Sequence, residues 1–155
     1  IDPWNNFTYG WSNFVNYRNF DFSMVLRGQQ GGKVFNGTYL NFANVNRLTT
    51  NSNVLEDALT NGIKDPAKTS DYAIQSSSFL RLESASLGYT FDTKKVPIIS
   101  RARVYVAGNN LFLITDYKGY DPEVGSFNQD ALLSGVDNGR YPVPRQITFG
   151  FNVEF

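Results

Sequence analysis

The chain has no cysteine and no histidine. The first absence removes disulfides, thiolate metal ligands and cysteine nucleophiles together. The second removes the commonest general base and the commonest metal ligand, so Ser-His-Asp, Cys-His and His-based zinc chemistry are out of reach. Charge is scarce too: Asp, Glu, Lys and Arg make up 18% of the residues, against roughly 25% in ordinary soluble domains. The 14 basic and 14 acidic residues cancel, leaving no electrostatic footprint for nucleic acid. No apolar run approaches the roughly 18 residues of a membrane helix, and mean hydropathy is −0.32. The N-terminus, Ile1-Asp-Pro-Trp-Asn, has neither the basic nor the apolar region of a signal peptide. Together these absences argue against a helical membrane protein, a nucleic-acid binder and an enzyme, and no cofactor or metal is expected.

What is abundant is aromatic. Phe, Tyr and Trp make up 15% of the 155 residues, with 13 Phe and 9 Tyr. They are concentrated in alternating segments, most clearly in the last eleven residues. There Ile147, Phe149, Phe151, Val153 and Phe155 share one parity, and Gln146, Thr148, Gly150, Asn152 and Glu154 share the other. Side chains on a strand alternate between faces, so this segment has one apolar, aromatic-rich face and one polar face with almost no charge. It is also long enough to cross a bilayer when tilted, which takes about 9–11 residues. The pattern is that of a transmembrane barrel strand with lipid on one side and a wet lumen on the other. A strand of a soluble all-β binding or adhesion module alternates as well, and that reading stays open at this point.

Four further segments alternate, which predicts an all-β chain of five antiparallel strands near residues 5–17, 20–28, 79–91, 101–115 and 144–155, ordered as a meander. Within 79–91 the polarity reverses around Arg81 and Glu83, predicting an end that leaves the membrane zone or meets another protein element. Residues Gly28–Ser78 and Tyr117–Pro144 lack the pattern and read as long loops. In the first, only a short helix is predicted, capped by Asn53 with Glu56 three residues on and stopped at Asn61-Gly62, with Pro66 shortly beyond. Asp92–Ser100, with Pro97, reads as a connector. Long connections follow the second and fourth strands and short ones the first and third, the asymmetry of outer-membrane barrels with long extracellular loops. Five strands cannot close a barrel, for which eight is the practical minimum. The chain is therefore expected to be part of a longer protein.

In the second loop, Tyr117, Tyr120, Asp121 and Glu123 are candidate contacts for a substrate or a lid partner. Aromatic faces suit sugar rings or peptide side chains, and the carboxylates accept hydrogen bonds. Against this stands a structural role, with Asp121-Pro122 initiating a turn and the tyrosines folding the loop. Asp116, Asp121, Glu123, Asp130 and Asp137 are hard oxygen ligands without the spacing of a calcium loop, and read as solvated charges. Gly28-Gln-Gln-Gly-Gly32 lacks the Lys-Ser/Thr of a phosphate-binding loop. Asn36-Gly-Thr38 fits the N-glycosylation sequon.

Four segments carry a family resemblance. Asn5-Asn-Phe-Thr-Tyr-Gly-Trp-Ser-Asn13 with Asn16-Tyr-Arg-Asn-Phe-Asp-Phe-Ser23 is the first. Ser78-Phe-Leu-Arg-Leu82 with Leu87-Gly-Tyr-Thr-Phe91 is the second. Gly108-Asn-Asn-Leu-Phe112 with Thr115-Asp-Tyr-Lys-Gly-Tyr-Asp-Pro-Glu123 is the third, and Tyr141-Pro-Val-Pro-Arg-Gln-Ile-Thr-Phe-Gly-Phe151 the last. In this order and over nearly the whole chain, they resemble the C-terminal end of the SusC/RagA family of TonB-linked outer-membrane importers; Phe35–Tyr72 is the least family-like stretch. The resemblance implies a barrel of 22 strands, with a plug, a TonB box that engages the TonB complex, and a SusD-like lipoprotein lid. Residues 1–155 would then be a C-terminal barrel fragment, with the plug and most of the barrel elsewhere. It also implies import of oligosaccharides or peptides across the outer membrane. Phe155, preceded by alternate apolar residues, resembles the signal read by the barrel assembly machinery.

Overall fold

The computed structural model describes residues 2–65, 68–93, 98–124 and 134–155. In chain order the elements are β1 (Phe7–Tyr17), β2 (Phe20–Gln30), β3 (Lys33–Asn36), helix α1 (Gly37–Phe42), three 3₁₀ turns (Val45–Thr50, Glu56–Leu59, Asp71–Ala73), β4 (Ile74–Ser76), β5 (Phe79–Phe91), β6 (Arg101–Thr115), β7 (Val136–Asp137) and β8 (Gln146–Glu154). Two compact units result. A sheet unit comprises residues 8–29, 79–114 and 143–155, and a loop unit comprises 1–7, 30–78 and 115–142.

The large sheet has the order β1-β2-β5-β6-β8, the expected meander, and its strands begin and end within two residues of the expected bounds. At the first turn Arg18 takes φ +55, the left-handed conformation that tight hairpins require. Asn19 then ties that turn to β5, its Nδ2 donating to the Thr90 carbonyl at 2.7 Å. Along β6 and β8 the ladder pairs Val104 with Phe151 and Val106 with Phe149 on one face, and Arg103 with Asn152 and Ala107 with Thr148 on the other. Along β2 and β5, Phe20 faces Tyr89 and Phe22 faces Leu87, while Asp21 faces Gly88 and Ser23 faces Ser86. The Ser23 and Ser86 hydroxyls lie 2.8 Å apart. One sheet surface is therefore apolar and the other polar through at least four strands.

The polarity reversal in 79–91 has a local cause. Val25 pairs with Ser84 but Leu26 pairs with Leu82, so the register shifts and Glu83 is the extra residue. Such a bulge moves every following side chain to the opposite face. Leu82 and Leu80 then join the apolar surface of Met24 and Leu26, and Arg81 joins Arg27 on the polar one. The environment also changes at that end: Phe79 and Arg81 are buried, 4% and 3% exposed, so the strand meets other protein groups there, as one of the two expectations had it.

Two expectations for the first long loop are corrected. Residues 28–78 do not form a patternless connection: β3 and β4 pair with each other, and β3 pairs in parallel with β7. The predicted helix start at Asn53 is absent as well. A four-residue 3₁₀ turn begins instead after Leu55, with no side-chain cap. Its apolar residues do not share a face, since Ala58 is 3% exposed and Leu59 is 65% exposed. The α-helix is Gly37–Phe42, where the Asn36 side chain accepts from Tyr39 N at 2.7 Å. The sequon-like Asn36-Gly-Thr38 is thus a helix cap. The expected stop at Gly62 keeps its left-handed φ of +74. Pro66 and Pro97 lie outside the described residues.

Candidate functional site

The loop unit is organised around buried polar groups. Asn36 is fully buried, and besides capping α1 it donates from Nδ2 to Gln75 Oε1 at 3.2 Å. The same oxygen accepts from the Lys118 backbone N at 2.9 Å, which ties the second loop to the first. Asp137, on β7, is also buried. Its carboxylate accepts from the Tyr117 hydroxyl, from Thr38 Oγ1 at 3.3 Å and from Arg140 N at 3.2 Å. A buried carboxylate costs several kcal/mol unless donors replace its water, and three do so here.

A second cluster joins Tyr39, Asp57, Tyr72 and Lys118. Lys118 Nζ donates to Asp57 Oδ2 at 2.9 Å and to the Tyr39 hydroxyl at 3.2 Å. Tyr39 donates to Asp57, and its hydroxyl lies 3.0 Å from that of Tyr72. The hydrogen bond from Lys118, and then that from Tyr39, holds the Asp57 carboxyl below its ordinary value. Burial, and then the hydrogen bond to Asp57, pushes the Tyr39 phenol upward. Burial, and then Asp137, pushes the Tyr117 phenol up in the same way.

The four sequence-predicted contact residues separate here. Tyr117 and Asp121 are 5% and 3% exposed. Tyr117 is committed to Asp137, and Asp121 Oδ1 accepts from Glu123 N at 2.9 Å beside the fully buried Pro122. This is the Asx-type turn that Asp-Pro favours. Glu123 is half-buried. Tyr120 is 69% exposed, and among the four it presents the open surface. It borders a cleft of about 680 Å³ together with Phe42, Lys118, Arg140 and Tyr141. Of these, sequence reading missed Phe42, Lys118, Arg140 and Tyr141. Their lone signal was the mix of rings and cations flanking the Tyr-Asp-Pro motif and the Tyr-Pro at 141. Among the described residues no three acidic side chains converge as a metal site, and Asp130 lies outside the described residues.

In the sheet unit, Ile147, Phe149, Phe151, Val153 and Phe155 are 39% to 85% exposed. Phe20, Leu87, Phe91 and Val104 are exposed on neighbouring strands. An apolar surface this continuous marks contact with another protein or with lipid. The polar surface, by contrast, is closed by small residues under large ones. A Cβ at Gly88 would overlap the Arg103–Asp21 pair, and one at Gly150 would overlap the Tyr105 ring.

An antiparallel meander with one exposed aromatic surface and one polar surface is a segment of β-barrel wall. The comparisons with known proteins agree. The chain is 31% identical over 171 aligned residues to the TonB-dependent receptor P26 of Formosa agariphila, covering 99% of this chain and 17% of that protein. It is 34% identical over 156 residues to the TonB-dependent receptor SusC of Bacteroides thetaiotaomicron, covering 94% of this chain and 15% of that protein. Among solved structures, the RagAB peptide importer in its closed-closed state matches with a TM-score of 0.71 at 23% identity, over 96% of this chain and 17% of that one. That last likeness speaks to the fold. The chain matches no family model. The chain belongs to the SusC/RagA family of TonB-dependent receptors, and it spans about 17% of the length of the receptor P26.

Proposed function

We propose that residues 1–155 are the C-terminal part of the barrel of an outer-membrane, TonB-dependent importer of oligosaccharides or peptides. The plug and most of the barrel belong to the rest of the protein. It works with a SusD-like surface lipoprotein and with the TonB complex, which drives transport and engages the protein outside this segment. The protein is a transporter and carries out no chemistry on its cargo. The observation that carries the reading is β8, whose alternate residues Ile147, Phe149, Phe151 and Val153 stand exposed beside the apolar residues of β6. In this reading they face the lipid bilayer, and with Phe155 they form the signal for the barrel assembly machinery. Tyr120 faces cargo or lid, while Tyr117, Asp121 and Glu123 shape the loop that carries it.

The test is the parent protein in cell envelopes. Extraction by detergent alone, together with a folded band that shifts on boiling, supports the reading. Deleting Phe155 should then reduce the folded band while leaving buried contacts intact. A parent protein recovered monodisperse in plain buffer would overturn the reading in favour of a soluble all-β binding module.

A further inference from the structure

The 680 Å³ cleft of the loop unit has wet aromatic walls. Tyr120 and Tyr141 are 69% and 87% exposed, and Phe42, whose ring Arg47 covers at 4.4 Å, is among the other lining residues. Rings left in water at the mouth of a cleft offer flat apolar faces to a ligand that is itself half apolar, as a sugar ring is.

The charges decide what else the ligand must carry. Asp137 is the carboxylate on the cleft wall, and it is occupied by Tyr117, Thr38 and the Arg140 backbone. Lys118 is held by Asp57 at 2.9 Å. Arg140, a half-buried residue, is different: among the described residues no carboxylate lies within ion-pair distance of its guanidinium. A guanidinium is a rigid fork matched to a carboxylate, and a partly desolvated one gains most from such a partner. Among the described residues lining the cleft, Asp137 is the one carboxylate and it is buried, so none of them offers an accessible carboxylate for an amine, which a peptide's N-terminus would want.

We propose that this cleft binds an acidic oligosaccharide, one bearing a ring carboxylate of the uronate type. Arg140 takes the carboxylate, and Tyr120 and Tyr141 pack against the sugar rings. The proposal rests on the import reading of the parent protein and names the cargo class within it.

The experiment is calorimetric titration of the detergent-solubilised parent protein with trigalacturonate, with neutral maltotriose and with a tripeptide. Trigalacturonate should bind at least about tenfold more tightly than maltotriose, and the difference should shrink as salt is raised. Arg140→Gln should weaken trigalacturonate about tenfold and leave maltotriose unchanged, with Arg140→Lys between. Tyr141→Ala should weaken both sugars. Equal binding of the two sugars, preference for the tripeptide, binding of none of the three, or indifference to Arg140→Gln would overturn the proposal. The wild-type preferences decide it even if a variant fails to fold. A parent protein that fails the detergent and boiling tests would instead sink the import reading itself.

Discussion

Arg103 on β6 reaches across β5 to hold Asp21 on β2 with two parallel hydrogen bonds, Nε to Oδ1 at 2.9 Å and Nη2 to Oδ2 at 2.5 Å. Gly88 lies directly beneath the pair. The bridge skips a strand and so clamps three strands at once. Both side chains are about one-fifth exposed, at 20% and 22%, so the pair is shielded more than a surface ion pair.

Removing one partner leaves the other's charge uncompensated on the polar surface. Arg103→Gln should destabilise the folded barrel by about 1–3 kcal/mol, read as a lower urea midpoint of the heat-modifiable band. Gly88→Val should cost more, because its side chain would occupy the space of the bridge. A Gly88→Val barrel as stable as wild type would refute this placement.

The two faces of β8 can be separated with one charge each. Phe151→Arg puts a cation on the apolar surface, worth about 2–4 kcal/mol at a bilayer midplane. Thr148→Arg puts one on the polar surface opposite Ala107 and should leave the folded fraction near wild type. It is a better control than Asn152→Arg, which would set two cations directly opposite, since Asn152 pairs with Arg103. Equal losses for Phe151→Arg and Thr148→Arg would mean that the lipid face has been misassigned.

Tyr105 lies over Gly150, its ring filling the space that a Cβ would take. Gly150→Val should therefore lower the folded fraction, and Tyr105→Ser in the same protein should restore part of it. Additive losses in the double variant, rather than recovery, would refute the contact.

The raised Tyr39 and Tyr117 phenols have a defined pH sign. A phenol whose folded value lies above its free value of about 10 contributes stability at lower pH, and loses it as pH climbs past 10. Asp57, held low by Lys118 and Tyr39, contributes in the opposite direction: its stability is present above its ordinary 3.8 and lost on acidification. Absorbance at 295 nm should show late-titrating tyrosines, one of which disappears in Tyr117→Phe. If all phenols titrate together near 10 in the folded protein, the two buried hydroxyls are wrongly described.

The five strands were legible because each exposes two unlike faces, and a period of two survives in composition. The loop unit was not. Its order rests on pairs far apart in sequence, such as Asn36 with Gln75 and Tyr117 with Asp137, which leave no periodic trace. β7 is two residues long, too short to alternate. The bulge did leave a signal, the parity flip around Glu83, but a flip alone does not say whether the surroundings or the register has changed. In the candidate site, Asp-Pro correctly marked a turn, whereas which tyrosine turns inward depended on where Asp137 arrives from.

The parallel pairing of β3 with β7 brings Phe35 beside Val136 and Asn36 beside Asp137. Each long loop supplies part of the other's hydrogen-bonding edge and buried polar partners. A graft that exchanges one loop with a relative would strand Asn36 or Asp137 beside a mismatched partner, whereas a graft of both would carry the ladder with it. The two loops are thus one heritable module, able to diverge in recognition only by changing together.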